Sequence, residues 1–94
     1  MARPTIAELR ALVRSLRYSL STHATGKLEN DNFTIFDFEN VVLTGAIVER
    51  QRDQTTGEVK TVVHGSALDG HHAESVVKIS PSGKLCVITA YWID

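Results

Sequence analysis

The sequence predicts an α+β domain in which two N-terminal helices pack on one face of a four-stranded antiparallel sheet. In the first half of the chain, apolar residues recur three and four positions apart, which is the spacing of an amphipathic helix. From Ala46 onward they alternate with polar residues or run in short stretches between turns, as strands do. The connections in this second half are too short for helical crossovers, so neighbouring strands are expected to pair antiparallel.

The first helix is predicted over residues 5–20. Thr5 and Glu8 fit a capping box, in which the hydroxyl and the carboxylate each meet an orphan backbone N–H group at the helix start. An apolar stripe then continues along the helix and needs a partner surface; its members are Ile6, Leu9, Leu12, Val13, Leu16 and Leu20. Residues 19–23 weaken the helix propensity, and Gly26 predicts a change of direction.

The second helix is predicted over residues 34–44. Thr34 is placed as its N-cap, with Asp37 three residues on to complete a capping box, and Phe33 is spaced to pack against Phe38. Gly45 fits the position just after the helix, where a left-handed backbone commonly ends it.

Four strands are predicted, at residues 46–52, 58–65, 71–80 and 84–93. The last is largely apolar at both alternating sets of positions, which predicts a central strand covered on both faces. With no internal repeat or linker, residues 1–94 are expected to form a single domain.

Composition excludes several classes of protein. A hydrophobic fraction of 43% and a charged fraction of 22% are ordinary for a globular protein and argue against disorder. No apolar run approaches the roughly 18 residues of a membrane helix, and the N-terminus does not resemble a secretory signal. A single Cys cannot form an internal disulfide, which favours the reducing cytoplasm. No phosphate-binding loop or metal-binding set of cysteines is present, so we expect no cofactor.

Charge is unevenly distributed along the chain. Residues 1–27 hold five basic residues and one acidic residue, a net charge of +4, whereas residues 28–40 hold four acidic residues and no basic ones. The basic segment fits a surface for a phosphate backbone. It also fits a solvated helix face beside an acidic loop, which is what a run of charge usually indicates.

His23 is the first candidate for acid–base chemistry. If the chain is helical here, the spacing of four puts His23 and Lys27 on one face, where the cation would tune the histidine. Alternatively, His23 caps the end of the first helix and interacts with its dipole.

Further candidates lie on the predicted strands. His72 and Glu74 share one face of the third strand because strand side chains alternate, and His64 on the neighbouring strand would complete a three-ligand metal site. Solvent-exposed histidines without a ligand are the alternative. Tyr91 either contacts a phosphate or packs in the core with its hydroxyl at the rim. Cys86 is interpreted as a small buried hydrophobe.

Several short motifs, taken in order, resemble a known family: Ser21-x-His23-Ala24, Lys27-Leu28, a helix from Thr34 to Gly45, Ile47-Val48-Glu49, Gly65, and Val87-Ile88-Thr89-Ala90-Tyr91. They resemble a widespread bacterial family known only as a domain of unknown function (number four-two-five-eight). That family is similar to the RelE and BrnT toxins, which have two helices and a small antiparallel sheet. The resemblance covers nearly the whole chain from about Leu16 onward.

The resemblance implies metal-independent RNA cleavage by basic, His and Tyr side chains on the open face of the sheet. His23 and Tyr91 match family positions, and Lys27 stands where the family usually has Arg. Two positions differ, because residues 29–32 lack a family Arg and Glu74 replaces a common His. Chemically, His23 or Glu74 is expected to act as the base, His72 or Tyr91 as the proton donor, and Lys27 as the charge stabiliser.

The resemblance therefore implies a small bacterial protein of RelE/BrnT toxin type that acts on RNA without a metal and is neutralised by an antitoxin protein. The alternative is a binding module for protein or RNA with the same fold and no chemistry, which the acidic residues favour. The exposed edge strand of a small sheet also allows a homodimer.

Overall fold

A computed structural model describes residues 3–93. In chain order, its elements are α1 (Ile6–Arg14), β1 (Tyr18–Leu20), α2 (Thr22–Asn30), α3 (Ile35–Thr44), β2 (Ala46–Arg52), β3 (Val59–Ser66), β4 (His72–Ile79) and β5 (Leu85–Trp92). The α+β class is as predicted, and the four strands expected after residue 45 are present within two residues at each end. None of the helices described between residues 3 and 93 is long and apolar enough to cross a membrane.

The sheet differs from the prediction in its size and pairing. The part of the chain described here forms a five-stranded mixed sheet in the order β1-β5-β4-β3-β2. Strands β2 to β5 pair antiparallel, as expected, whereas β1 adds to the far edge of β5 and runs parallel to it, with Ser19 opposite Cys86. The prediction of four antiparallel strands is wrong, because the added strand comes from a segment assigned to the first helix.

The first helix ends at Arg14, six residues before its predicted end. The amide of Arg17 donates to the carbonyl of Leu12 and the amide of Leu16 donates to that of Val13, which is a Schellman ending. Leu16 takes the left-handed position of this motif, at φ 58°, where glycine is usual. After this turn the chain is extended, and the expected stripe member Leu20 lies on β1.

A helix that the sequence interpretation did not include follows directly. Ser21 is the N-cap of α2, and its hydroxyl accepts a hydrogen bond from the amide of Ala24. Gly26, predicted to mark a change of direction, lies inside this helix instead. Ala24 and Leu28 are buried in the core, so tertiary packing outweighs the low helix propensity of glycine.

Helix α3 confirms the predicted capping box, since Thr34 and Asp37 each accept a hydrogen bond from the other's backbone amide. Gly45 is extended at φ −94°, so the prediction of a left-handed cap is wrong. Gly45 instead allows close packing against a second glycine, Gly65. A Cβ built on Gly65 would overlap the carbonyl oxygen of Val41 and lie 3.0 Å from Cα of Gly45. The two glycines let the end of α3 approach the backbone of β3.

The basic N-terminal segment has at least one structural contact. Arg10 donates hydrogen bonds to the carbonyl oxygens of Val42 (3.3 Å) and Gly45 (2.9 Å), at the end of α3. A cation at a helix C-terminus satisfies unpaired carbonyls and interacts favourably with the helix dipole. Helix α1 is thereby held against α3.

The two faces of the sheet differ. On the face that carries the core, alternating residues are fully buried and pack with Leu9, Phe38 and other helix side chains; they include Val63, Ala73, Val77, Val87 and Ala90. Residues between them in sequence point to the other face, which we call the open face. Among the central strands, its side chains include His64, Glu74 and Tyr91, and these are only partly buried.

Candidate functional site

Three polar side chains form a row across the middle strands on the open face. Strand pairing sets His64 of β3 opposite Glu74 of β4, and Glu74 opposite Tyr91 of β5. Directly opposed residues on antiparallel strands have their side chains on the same face and close together. The backbone register therefore brings an imidazole, a carboxylate and a phenol into contact without any loop being involved.

Hydrogen bonds connect the row. Oε1 of Glu74 accepts from the Tyr91 hydroxyl at 2.8 Å, while Oε2 of Glu74 is 3.1 Å from Nδ1 of His64. The other ring nitrogen of His64, Nε2, is 3.1 Å from Nδ1 of His72. The four residues form one hydrogen-bonded chain, from Tyr91 through Glu74 and His64 to His72. We call it the open-face relay.

Burial within the relay is graded. The side chain of Glu74 is 21% exposed and that of His64 is 32% exposed, whereas His72, at the start of β4, is an exposed residue. The carboxylate is therefore the most enclosed member of these three, and solvent access increases towards His72. A substrate approaching from solution would meet His72 before it met Glu74.

Tyr91 has a perturbed acidity. Burial raises the pKa of its hydroxyl above the usual value, and the hydrogen bond to Glu74 and the negative charges of Glu74 and Glu49 act in the same direction. The phenol is therefore protonated at neutral pH, so it donates to Glu74 rather than competing with it for a proton.

The sequence-predicted site residues fall into two groups. The open-face relay contains His72, Glu74 and Tyr91. It also contains His64, which the sequence interpretation considered only as a metal ligand. Its position opposite Glu74 could have been found from the alternation of the two strands, once their register was known.

The other two predicted residues, His23 and Lys27, lie on α2. They are one helical turn apart, as their spacing predicts, and Lys27 forms an ion pair of 3.4 Å with Asp31. Neither of them is a member of the open-face relay. Their convergence with Tyr91 remains a prediction.

The geometry does not favour the metal site considered from the sequence. Both ring nitrogens of His64 are directed at other side chains, Nδ1 at Glu74 and Nε2 at His72, and not at a common point. Within residues 3–93, no group of three or more His, Cys, Asp or Glu side chains could hold a metal ion.

A pocket of about 500 Å³ lies at the opposite end of the strands from the relay. Its lining includes half-buried Cys86 and, across the strand pair, Lys78, whose ammonium group forms a 2.8 Å ion pair with Glu58. None of the four relay residues lines it.

Comparison with known proteins identifies the family. The model of the family described as "Domain of unknown function (DUF4258)" matches residues 20–92, which span all the described elements from α2 to β5. The chain therefore belongs to this family, as the sequence motifs predict. No curated protein and no solved structure matches the chain.

Proposed function

We propose that this member of the family of unknown function is a metal-independent ribonuclease, of the kind represented by the RelE and BrnT toxins, with the open-face relay as its acid–base site. The observation that carries the proposal is the hydrogen-bonded chain from Tyr91 through Glu74 and His64 to His72. Ionisable groups that are partly buried and bonded in series on an accessible face are characteristic of sites that transfer protons.

The reaction requires no group beyond side chains that exchange protons and stabilise charge. A base removes the proton of a ribose 2′-hydroxyl, the 2′-oxygen attacks the adjacent phosphorus, and the bond from phosphorus to the 5′-oxygen breaks. That oxygen takes up a proton, so the products are a 2′,3′-cyclic phosphate and a 5′-hydroxyl. A positioned acid–base group typically contributes about 10²–10⁴-fold to such a rate.

His72 is the relay residue that we assign to contact the RNA, because it is exposed whereas the other three relay residues are partly buried. Glu74 already faces two partners, Tyr91 and His64, through its two oxygens. We therefore assign Glu74 and Tyr91 to hold His64, and not to exchange protons directly with the substrate. A carboxylate that orients a histidine is a recurring feature of proton-transfer sites.

Cationic groups for the phosphate are the second requirement, since negative charge develops on its oxygens. In this proposal Lys27 and His23 on α2 supply that contact. The ion pair of Lys27 with Asp31 is no obstacle, because the two side chains are 42% and 32% exposed and such surface pairs are weak. A phosphate can replace the carboxylate as the partner of Lys27.

The experiment that tests the proposed function uses purified protein, EDTA and a short fluorogenic RNA. We expect cleavage of the all-ribose strand and no cleavage of a matched strand with 2′-deoxyribose throughout. Fragments should end in a 2′,3′-cyclic phosphate. Equal cleavage of both strands, or none of either, would contradict the assignment, and fragments with a 5′-phosphate would exclude attack by the 2′-oxygen.

A binding module without catalysis is the second candidate. Two observations favour it: the cation Lys27 is paired with an acid, and β2 is an edge strand whose Val48 side chain is 56% exposed. Edge strands pair with strands of other chains, so an antitoxin-like protein or a second copy of the chain fits this edge. Binding of RNA or of a protein partner by wild type and by His72→Ala with equal affinity, with no cleavage, would favour this candidate.

Induced expression in a bacterium separates the two candidates at the level of the cell. A toxin ribonuclease should arrest growth and fragment RNA, and His72→Ala should relieve both effects. Unchanged growth with intact RNA, at matched protein levels, is the result expected of a binding module.

A further inference from the structure

The pocket where β4 ends and β5 begins has the size and the lining of a ligand site. Its volume of about 500 Å³ lies within the range of pockets that hold small molecules. Lys78 and Glu58, joined by their 2.8 Å ion pair, offer a hydrogen-bond donor and an acceptor side by side. The rest of its lining includes apolar side chains and hydroxyls: Pro4, Val59, Ile79, Pro81, Ser19 and Ser80. Such a lining suits a flat ring that has polar atoms at its edge.

Two cations lie beside this pocket on the same face of the sheet. Lys84 comes two residues before Cys86 and Arg17 two residues before Ser19, and both Cys86 and Ser19 line the pocket. The sheet continues to this level, because the amide of Leu85 donates to the carbonyl oxygen of Arg17 at 3.0 Å. Since strand side chains two residues apart share a face, Arg17 and Lys84 extend the surface of which the pocket is part.

The charge on these two residues has no acidic partner within the described part of the chain. Both residues are exposed, neither forms an ion pair between residues 3 and 93, and the acid that lines the pocket, Glu58, pairs with Lys78 instead. The guanidinium of Arg17 reaches the turn before Lys84, where its Nη2 atom lies 4.0 Å from the position of a Cβ built on Gly83. Neighbouring like charges repel each other, and an anion that binds both relieves the repulsion. Arginine also presents paired N–H groups that match the oxygens of a phosphate.

We propose that the pocket, with Arg17 and Lys84 beside it, binds one nucleotide of an RNA strand. The base enters the pocket, and the two cations hold the phosphates next to it. We call this site, the pocket with Arg17 and Lys84, the basic corner. Its two parts are independent observations that require different parts of one ligand, a ring with a polar edge and an anion, and a nucleotide has both. The inference goes beyond the proposed function, because binding at the basic corner does not require cleavage at the open-face relay.

The position of the basic corner favours a strand of RNA over a free nucleotide. Cys86 in the pocket and Tyr91 in the relay lie five residues apart on β5, which corresponds to about 16 Å along the strand. A strand of several nucleotides can therefore contact both sites, whereas a single nucleotide contacts one. The relay end of the open face carries the charges of Glu74 and Glu49. The cations of the basic corner are thus placed to attract the polyanion and anchor it away from the bond that is cleaved.

The test measures binding of a 2′-O-methyl RNA hexanucleotide to the full chain at several salt concentrations, since this strand lacks the attacking hydroxyl. We expect Arg17→Ala and Lys84→Ala each to weaken binding about threefold or more. Each should also reduce the slope of log K against log salt concentration by about 0.7, the effect of one lost contact between a cation and a single-strand phosphate. Arg52→Ala is the matched control, because Arg52 is an exposed arginine on β2, at the opposite edge of the sheet from β1. It should change neither the affinity nor the slope.

A substitution in the pocket tests the base contact separately. Ser19→Ile adds a β-branched side chain, which suits a strand, at an exposed position of β1 that lines the pocket. It should weaken binding of the hexanucleotide at an unchanged salt slope, because it removes space for the base and no charge.

Three results would overturn the basic corner: no binding of the hexanucleotide, unchanged slopes in both Arg17→Ala and Lys84→Ala, or the same loss in Arg52→Ala. Binding of AMP as tight as that of the hexanucleotide would assign the site to a free nucleotide and overturn the assignment to RNA. Binding as expected, together with no cleavage of an all-ribose strand, would overturn the proposed function alone. Cleavage of that strand with no effect of the two corner variants on binding would overturn the basic corner alone.

Discussion

The Tyr91 hydroxyl donates a 2.8 Å hydrogen bond to Oε1 of Glu74, which ties β5 to the carboxylate that also faces His64. Because burial and this carboxylate raise the pKa of Tyr91, the folded state holds the phenolic proton more tightly than the unfolded state does. The stabilisation that Tyr91 contributes in this way is fully present at pH values below about 10, the pKa of tyrosine in the unfolded chain. It is lost as the pH rises through the higher pKa of the folded state.

Glu74→Gln should therefore bring the alkaline titration of Tyr91 back towards the usual value, since it removes the charge that opposes ionisation. Tyrosinate absorbance measures this, and only two tyrosines contribute. Tyr18, whose hydroxyl bonds to Glu39 and whose pKa is also raised, should titrate as before. A Tyr91 titration that is identical in wild type and variant would contradict the coupling.

Substitution of Gly65, one of the two glycines at which α3 approaches β3, should cause a large loss of stability. Gly65→Ala places a methyl group on the carbonyl oxygen of Val41, which is backbone and cannot turn away. We expect a loss of about 3 kcal/mol of unfolding free energy, at the high end for overpacking. Urea denaturation followed by circular dichroism measures it.

Gly26→Ala is the matched control, because a Cβ there has no atom within 4 Å and the residue is helical. It should gain about 0.5–1 kcal/mol. Equal effects of the two substitutions would mean that close packing is not why Gly65 is a glycine.

At Leu16, by contrast, a substitution by glycine should stabilise the protein. It is 71% exposed and has φ 58°, so its side chain contributes little burial while its backbone has an unfavourable conformation. Leu16→Gly should raise the unfolding free energy by about 1 kcal/mol, because the left-handed region costs an L-residue about that much. Leu68→Gly, at a leucine of similar exposure (64%) without positive φ, should give no gain in the same denaturation experiment. A loss at both positions would refute the strain argument.

Thr61 allows a test of how much a buried hydroxyl without a hydrogen-bond partner costs in stability. Its Oγ1 is buried without a partner among residues 3–93, whereas the equally buried hydroxyl of Ser75 donates to the carbonyl oxygen of Thr89 at 3.1 Å. Thr61→Val keeps the shape and should stabilise by about 1 kcal/mol; Ser75→Ala should destabilise by a similar amount. Thermal unfolding compares them, and a destabilised Thr61→Val would show that the hydroxyl is satisfied in solution.

Elements with strong local signals were predictable from the sequence. Helix α3 has a complete capping box at Thr34 and Asp37 and an apolar stripe, and strands β2 to β5 are separated by turns. The region from Leu16 to Asn30 was not predictable. The left-handed Leu16 has no glycine to signal it, β1 is three residues long and is held by β5, and Gly26 is a poor helix former inside α2.

For the candidate site, the sequence could predict only which residues of a single strand share a face. Alternation puts His72 and Glu74 on one face whatever the sheet looks like. The position of Tyr91 depends on the pairing of β4 with β5, where the register shifts between Val76 and Val77. A shift of one residue moves a side chain to the opposite face, so local sequence could not decide between the open face and the core for Tyr91.

The measurement that tests the central claim most directly is the rate of RNA cleavage by His72→Ala beside His71→Ala, in EDTA and with matched concentrations of folded protein. His71 is adjacent in sequence and exposed, and its Nδ1 lies 2.8 Å from Oδ2 of Asp69, so it controls for the loss of an exposed imidazole. We predict that His72→Ala loses at least about 100-fold in rate while His71→Ala keeps the wild-type rate. Equal rates for the two variants, or a wild-type protein that leaves RNA intact, would contradict an acid–base site on this face.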